Sequence, residues 1–258
     1  MKLIEQLTIP SRYCGPPDSA NGGYVAGLLA KSLRETSHAD QLGIQVRLLA
    51  PPPLEQPLDL YEMKSEQGEL GALLQMGQTE IAVATLVPLP SSVVPAAPTA
   101  QQAEAAMAGF DGSDHPFPGC FVCGPGRDPA DALCIYPGGV STVPAMDKPM
   151  VASTWQVDPD YCDEKGVLKT EILCAALDCP SSFGILEVAS NKEMEPMVLA
   201  SFTFVLSGDL KAGEQAIAVG WAESRKGRKA FGGSAIYNSA GECVAHAEAL
   251  WISLNRGL

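Results

Sequence analysis

The sequence PDSANGGYVAGLL, residues 17–29, decides the fold. Turn residues open it, and an apolar helical pattern then continues to about Arg34. Glycine is the costliest ordinary residue in a helix interior, by roughly 1 kcal/mol relative to alanine, yet Gly22, Gly23 and Gly27 all fall in this segment. Two explanations are open. Either the helix packs closely against another element, or a ligand must touch the bare backbone at the helix start.

Strand-like segments surround this helix in a pattern that occurs twice. LIEQLTI precedes the helix, and GIQVRLLAP, PLDLYEMKSE, LGALLQMGQ and TEIAVATLVPL follow it, separated by proline and glycine turns. Later the order returns with CIYPG, MVASTWQV, the helical VLKTEILCAALDCPSSFGILEVA, and then MVLASFTFVLSG, EQAIAVGWAES, KAFGGSAIYN and ECVAHAEALWISL. The simplest interpretation is an internal duplication.

One helix against an antiparallel sheet, occurring twice, predicts an α+β tandem (double) hotdog fold. Edge-to-edge pairing would give one continuous curved antiparallel sheet wrapped around two long helices. The predicted boundaries are 1–90 for the N-terminal hotdog, 91–128 for a Pro/Ala-rich linker with a CxxC segment and a short Ala-rich helix, and 129–258 for the C-terminal hotdog. Pro180 predicts a break or kink in the second helix near Cys179.

The overall composition argues against several classes of partner. The 258 residues carry a formal net charge of -13, which makes nucleic acid an unfavourable partner. We find no apolar run long enough to span a membrane and no signal-type apolar core at the N-terminus, so we expect a cytoplasmic protein. The eight cysteines are scattered along the chain, which predicts reduced thiols.

Three stretches in this order, GPPDSANGGYVAGLLA, HPFPGCFVCGPGR and EILCAALDCPSSFG, resemble the double-hotdog thioesterase-like superfamily, related to acyl-CoA thioesterase II. The resemblance covers nearly the whole chain and implies an acyl-CoA or other acyl-thioester substrate. It matches the helix-start glycine pair of the family to Gly22 and Gly23, its catalytic aspartate to Asp178, and a strand hydroxyl to Ser201. Relatives place a glutamine on the last strand where this chain has Ala249, a departure that weighs against hydrolysis.

The start of the first helix suits a developing oxyanion. Backbone N–H groups at a helix start have no intrahelical acceptor, and the helix dipole adds partial positive charge. Glycine lets a carbonyl approach without a side chain in the way. Asn21, Gly22 and Gly23 are therefore predicted to form an oxyanion site, in which one donor lowers the barrier by roughly 3 kcal/mol. The alternative is an ordinary helix start with glycines for packing.

Asp178 is the predicted general base. It is the one carboxylate in the apolar stretch ILCAALDCPSSFG, where burial would raise its pKa towards a value useful for proton transfer. The alternative is that Asp178 caps backbone groups freed at Pro180. Ser201 is predicted to orient the water or to hydrogen-bond Asp178, and its alternative is an ordinary strand serine. This chemistry requires no metal or redox cofactor.

RKGRK, residues 225–229, is the dense basic run of an acidic chain. Coenzyme A carries several phosphates, and arginine and lysine are the usual phosphate-binding side chains. The predicted contacts to the nucleotide end are therefore Arg225, Lys226, Arg228 and Lys229. The alternative is a solvated hairpin turn around Gly227.

Cys120 and Cys123 in CFVCG have the spacing of a zinc knuckle, and His115 and Cys134 lie nearby in the sequence. A structural zinc site usually takes four ligands in two pairs, and the chain has no second CxxC or HxxxH. We therefore predict packed, reduced thiols and no metal.

Three functions remain open from the sequence. The first is thioester hydrolysis, and the second is non-catalytic binding of acyl-CoA or another small ligand, which Ala249 favours. The third is a structural hotdog whose cleft is filled by its own side chains. Cys174 and Cys179 have no visible histidine partner, which argues against a cysteine nucleophile. The sequence also lacks the Asp–His pair at a helix start that would indicate a hydratase. The oligomeric state stays open between a monomer and a homodimer.

Overall fold

The computed structural model describes residues 1–36, 42–64, 68–140, 149–188 and 194–254. The first half contains β1 (Lys2–Thr8), α1 (Gly22–Thr36), β2 (Gly43–Leu48), β3 (Pro57–Lys64), β4 (Leu70–Met76) and β5 (Thr79–Val87). A short helix, α2 (Ala100–Ala108), follows. The second half contains β6 (Gly138–Gly139), β7 (Met150–Gln156), α3 (Thr170–Glu187), β8 (Met197–Leu206), β9 (Gln215–Lys226), β10 (Lys229–Tyr237) and β11 (Cys243–Ser253).

The strands of both halves form one continuous antiparallel sheet. In the described ranges it has eleven strands in the order β1-β3-β4-β5-β2-β8-β11-β10-β9-β7-β6. The halves join where β2 pairs with β8, from Ile44 opposite Phe204 to Arg47 opposite Ser201. Helices α1 and α3 pack against each other and against this sheet. The predicted α+β double hotdog, with two long helices against one sheet, is confirmed.

Glycines in α1 allow the two long helices to touch backbone to backbone. A Cβ at Gly23 would lie 2.4 Å from the carbonyl oxygen of Cys174, and one at Gly27 would lie 2.4 Å from the Cα of Glu171. Neither backbone atom can move aside without shifting α3. Close packing therefore explains Gly23 and Gly27, which is the first of the two explanations that the sequence left open.

Helix α3 lies equally close to the sheet. A Cβ at Gly220 of β9 would lie 1.8 Å from the carbonyl oxygen of Pro180, and one at Gly184 of α3 would lie 2.4 Å from the backbone nitrogen of Trp221. With α1 on one side and β9 on another, α3 is buried over most of its length. This explains why its sequence is apolar all round.

Two local features differ from the predictions. Helix α3 does not break near Cys179 but continues through Pro180 to Glu187, because packing on several sides offsets the roughly 3 kcal/mol cost of an internal proline. The segment CIYPG contributes only its final glycine to a strand, β6. Cys134 at its start has a φ of 53°, and this left-handed conformation is incompatible with an extended strand.

The CxxC segment between the two halves is part of the hydrophobic core. Phe121 and Val122 are fully buried. The Phe121 N–H donates to the Cys14 carbonyl at 2.8 Å, and the Phe121 carbonyl accepts from the Leu133 N–H at 2.9 Å. Composition alone predicts a linker here and gives no sign that the segment is buried. None of the described helices is both long and apolar enough to cross a membrane.

Candidate active site

Asp178 lies between the two long helices. It is in α3 and is only 2% exposed. Its Oδ2 accepts hydrogen bonds from Asn21 Nδ2 at 2.8 Å and from the Gly23 N–H at 2.9 Å. Its Oδ1 is buried and has no hydrogen-bond partner among the described residues. The start of α1 therefore fixes one of the two carboxylate oxygens.

Asn21 caps α1 and orients Asp178 at the same time. Its Oδ1 accepts from the Tyr24 N–H at 2.9 Å, which is the usual bond of an N-cap. Because Oδ1 is held in this way, Nδ2 must face Asp178. The structure thus brings together Asn21, Gly23 and Asp178, three residues that the sequence analysis selected from positions far apart in the chain.

Gly22 differs from Gly23 in what its N–H can do. The N–H groups in the first turn of a helix have no acceptor within the helix. At the start of α1 the Asn21 N–H donates to the Tyr13 carbonyl, the Gly23 N–H to Asp178 Oδ2 and the Tyr24 N–H to Asn21 Oδ1. In the part of the chain that the structure describes, the Gly22 N–H has no acceptor. A Cβ at Gly22 would lie 2.9 Å from the side chains of Leu48 and Leu199, which line a cavity with it.

Burial raises the pKa of Asp178 to about 7. The hydrogen bond from Gly23 opposes this rise, the negative charge of a Cys120 thiolate adds to it, and the bond from Asn21 opposes it again. A carboxylate with a pKa near neutrality is a stronger base than an exposed one. The environment of Asp178 is therefore suited to taking a proton from water.

The cavity next to Asp178 has a volume of about 410 Å³. This lies within the range of small-molecule sites, roughly 300–1,000 Å³. Its wall is mainly apolar and comes from α1, β2, β8, β11, α3 and the CxxC segment. Polar side chains in the wall include Asp178, Asn21, Ser182 and His115. The alternative in which the cleft is filled by the protein's own side chains is wrong.

Ser201 is not brought to Asp178. In β8, Ser201 lies opposite Leu250 and Leu199 opposite Trp251, so Ala200 is an extra residue in a β-bulge. Without the bulge, alternation would place Ser201 on the same face as the buried Leu199. With it, Ser201 falls on the face opposite to the fully buried Phe202.

Ala249, where the resemblance implies a glutamine, and its neighbour Phe202 lie on the inner face of the sheet. They lie opposite each other in β11 and β8 and are both buried, so this part of the inner face offers no side-chain hydrogen bond to a water molecule. Ser182, which was not predicted as a site residue, lines the cavity one turn after Asp178 in α3. The spacing of four residues in a helix was the available signal.

The basic residues Arg225, Lys226, Arg228 and Lys229 lie on an exposed hairpin between β9 and β10. The Arg225 guanidinium donates to Glu195 at 2.6 Å and to the Ser253 hydroxyl at 2.9 Å. Because Glu195 lines the cavity, this ion pair links the hairpin to the cavity wall.

Three buried thiols form a cluster beside Asp178. The Sγ atoms of Cys120, Cys123 and Cys179 all lie within 4.8 Å of one another. His115 is adjacent, with its Nε2 3.3 Å from the Sγ of Cys123. Hydrogen bonds from the other two thiols hold the pKa of Cys120 well below its usual range. The third thiol was not evident from the sequence, because only the tertiary fold brings α3 to the CxxC segment.

No protein-family model matches this chain, and no curated protein matches it in sequence. Solved structures do match it. A hot dog fold protein of unknown function from Alicyclobacillus acidocaldarius is 12% identical, with a TM-score of 0.64 over 98% of this chain and 95% of that chain. The acyl-CoA thioesterase II TesB2 from Mycobacterium marinum is 12% identical, with a TM-score of 0.64 over 99% and 97%.

The tesB protein of Mycobacterium avium subs paratuberculosis is also 12% identical, with a TM-score of 0.62 over 98% of this chain and 96% of that chain. Identities this low establish a shared fold and no more. The match spans both halves, the sheet and both long helices, in agreement with the resemblance stated from the sequence. The chain is therefore a double-hotdog protein with the fold of acyl-CoA thioesterase II.

Proposed function

We propose that this chain hydrolyses thioesters of the acyl-CoA type, with Asp178 as the general base. The observation that carries the proposal is the state of this carboxylate. One oxygen is held by Asn21 and Gly23, the other is buried without a partner among the described residues, and Asp178 lines an apolar cavity. An apolar cavity suits an acyl chain, and the unpartnered oxygen suits a water molecule in hydrogen-bond contact.

In the proposed reaction, Asp178 Oδ1 takes a proton from this water while the water oxygen attacks the thioester carbonyl carbon. The negative charge that develops on the carbonyl oxygen is stabilised by the Gly22 N–H and the dipole of α1. The C–S bond then breaks, and the departing thiolate receives the proton from Asp178. Asn21 and Gly23 act as positioning residues because they fix the carboxylate. Gly22 is thus the oxyanion donor of the helix start.

The nucleotide end of coenzyme A is assigned to the basic hairpin. Lys226, Arg228 and Lys229 are exposed there, and Arg225 connects the hairpin to Glu195 in the cavity wall. This arrangement leaves phosphate groups in solvent while the acyl group enters the cavity. In a chain with a formal net charge of -13, such a local basic patch is what an anionic ligand requires.

The test is hydrolysis of a panel of acyl-CoA thioesters, from acetyl to palmitoyl and including aromatic acyl groups. We expect turnover by the unmodified chain and a fall in kcat/KM of about 10²- to 10⁴-fold in Asp178→Asn, the usual contribution of a general base. The amide oxygen of the new asparagine can still accept the hydrogen bond from the Gly23 N–H, so we expect this variant to fold. Its melting temperature checks this. Glu171→Gln, the same change elsewhere in α3, is the matched control. Full activity of Asp178→Asn would contradict the proposal.

A second candidate is a binding protein without turnover. It is favoured by Ala249, which stands where the resemblance implies a glutamine, and by the apolar residues Leu48, Leu199 and Trp251 with which the sheet lines the cavity. Non-hydrolysable thioether analogues of acyl-CoA distinguish the two functions. Thermal stabilisation by an analogue, with no release of thiol from any member of the panel, would establish binding and exclude hydrolysis.

A further inference from the structure

The thiol cluster is made by two separate parts of the chain. Cys120 and Cys123 come from the buried CxxC segment, and Cys179 comes from α3, directly after Asp178. All three are at most 5% exposed. Free cysteines are common as isolated packing residues. Three of them with mutually converging sulfur atoms are a set of soft donors of the kind that binds zinc.

The sulfur positions fit a tetrahedral ion. With Zn–S bonds of about 2.3 Å, two thiolates of a tetrahedron are separated by about 3.8 Å. The Sγ atoms of Cys120 and Cys179 are 3.8 Å apart, and all three pairs are within 4.8 Å. A shift of less than about 1 Å, within the range of side-chain adjustment, therefore closes the set around one ion.

The turn from Cys120 to Cys123 is tight and places both of its Sγ atoms next to that of Cys179. The Gly124 N–H donates to the Cys120 carbonyl at 2.9 Å, and a Cβ at Gly124 would lie 2.5 Å from the backbone nitrogen of Cys120. Only glycine fits this close approach.

We propose that Cys120, Cys123 and Cys179 bind one zinc ion. The three cysteines line the cavity, so the fourth coordination position of the ion faces it and takes a water molecule or a ligand atom. Zinc bound in this way joins the CxxC segment to α3 and fixes the wall of the cavity next to Asp178. The proposal departs from the sequence analysis, which assigned no metal because it found no second pair of ligands.

His115 supports the site from outside the ligand set. Its Nδ1 accepts a hydrogen bond from the Phe117 N–H at 3.0 Å, so in the neutral ring the proton is on Nε2. That Nε2–H lies 3.3 Å from the Sγ of Cys123 and donates to it. A nitrogen that carries a proton cannot bind a metal, and His115 is therefore a hydrogen-bond donor to a zinc-bound thiolate.

The test measures metal content and spectroscopy, and it does not depend on hydrolysis. The reduced chain of 258 residues is freed of metal, reconstituted with zinc, passed through a desalting column and analysed for zinc per chain. The expected result is one zinc per chain. Substitution with Co²⁺ is expected to give thiolate-to-cobalt charge-transfer bands of three-thiolate intensity, with the visible absorption of a tetrahedral ion. Absence of both zinc and these bands would overturn the proposal.

Variants in the same helix provide the control. Cys179→Ser should lose zinc, whereas Cys174→Ala, at a buried cysteine of α3 outside the cluster, should retain one per chain. Equal zinc content in the two variants would overturn the assignment. If Cys179→Ser does not fold, the cobalt spectrum of the unmodified chain decides by its thiolate count. The zinc assignment would also be overturned if protein purified without reductant contained a disulfide between Cys120 and Cys179 and this protein did not take up zinc.

The outcome is separable from that of the proposed hydrolysis. Asp178→Asn leaves all three sulfurs in place, so it should bind zinc with the same stoichiometry even if it has lost activity. Conversely, zinc binding by a chain that hydrolyses no thioester would support the zinc site and contradict the proposed hydrolysis.

Discussion

The two halves of the molecule begin their long helices in the same way, but among the described residues only the start of α1 binds a buried carboxylate. In the first half a short 3₁₀ helix ends at Tyr13, and the Tyr13 carbonyl accepts from the N–H of Asn21, the residue before α1. In the second half a short 3₁₀ helix ends at Tyr161, and its carbonyl accepts from the N–H of Lys169, the residue before α3. The duplicated scaffold is therefore preserved at this point.

The side chains on the two scaffolds differ. Asn21 caps α1 through its side chain, whereas Lys169 makes no side-chain cap on α3. Asp178 lies nine residues after Lys169, and the position nine residues after Asn21 is the fully buried Ala30. One half thus supplies the backbone donors and the other supplies the carboxylate. The backbone is therefore alike at the two helix starts, and the difference between the halves lies in the side chains that meet at Asp178.

The largest expected loss of stability comes from a substitution that obstructs the close contact between α1 and α3. In Gly23→Ala the new Cβ would lie 2.4 Å from the Cys174 carbonyl oxygen, and overpacking against backbone lowers the free energy of unfolding by about 3 kcal/mol. Chemical denaturation measures this. Gly119→Ala, where an added Cβ meets no atom within 4 Å, is the control. Equal stability of the two variants would show that the helices do not pack as described.

A smaller effect separates the two helix starts directly. Asn21→Ala removes the cap of α1 and one hydrogen bond to Asp178, so we expect a loss of about 2 kcal/mol in the free energy of unfolding. Lys169→Ala at the equivalent position removes no side-chain cap and should change it by less than about 0.5 kcal/mol. Similar losses in the two variants, measured by urea denaturation, would remove the asymmetry on which the single site rests.

The stability of zinc-free protein should depend on pH through Asp178. Its pKa is about 7 in the folded chain and has an ordinary value of 3.8 in the unfolded one. Between these values the folded chain holds a proton that the unfolded chain has released, so the free energy of unfolding falls as pH rises, by at most about 1.4 kcal/mol per pH unit. Asp178→Asn should remove this component. Parallel stability–pH curves for the two proteins would contradict the burial of the carboxyl.

The smallest effect is expected at the basic hairpin. Lys226→Ala and Lys229→Ala should raise KM for an acyl-CoA substrate by a few-fold, because exposed charge pairs contribute about 0–1 kcal/mol. They should leave KM unchanged for the matching acyl-pantetheine, which lacks the nucleotide. Lys64→Ala, at an exposed lysine on β3, controls for loss of positive charge. An equal rise for both substrates would exclude a role of the hairpin in binding the nucleotide.

The sequence alone was sufficient to predict the fold and to single out Asp178 and the glycines of α1, which meet in the structure. The helical and strand-like segments are separated by clear turns and occur twice, so periodicity was sufficient to predict two helices on one antiparallel sheet. Asp178 was evident because a lone carboxylate in an apolar helix requires a specific partner. The glycines of α1 were evident because they are unfavourable in a helix unless another element or a ligand needs the space.

Only the tertiary structure decided which atoms meet. Gly22 and Gly23 are adjacent and identical, yet the Gly23 N–H donates to Asp178 whereas Gly22 lines the cavity, because the crossing of α1 and α3 sets the distance to each. A bulge at Ala200 turns Ser201 away, although simple alternation along β8 would have pointed it inward. Cys179 reaches the CxxC segment through folding alone. These contacts depend on helix crossing, strand register and chain reversal, which no local sequence pattern encodes.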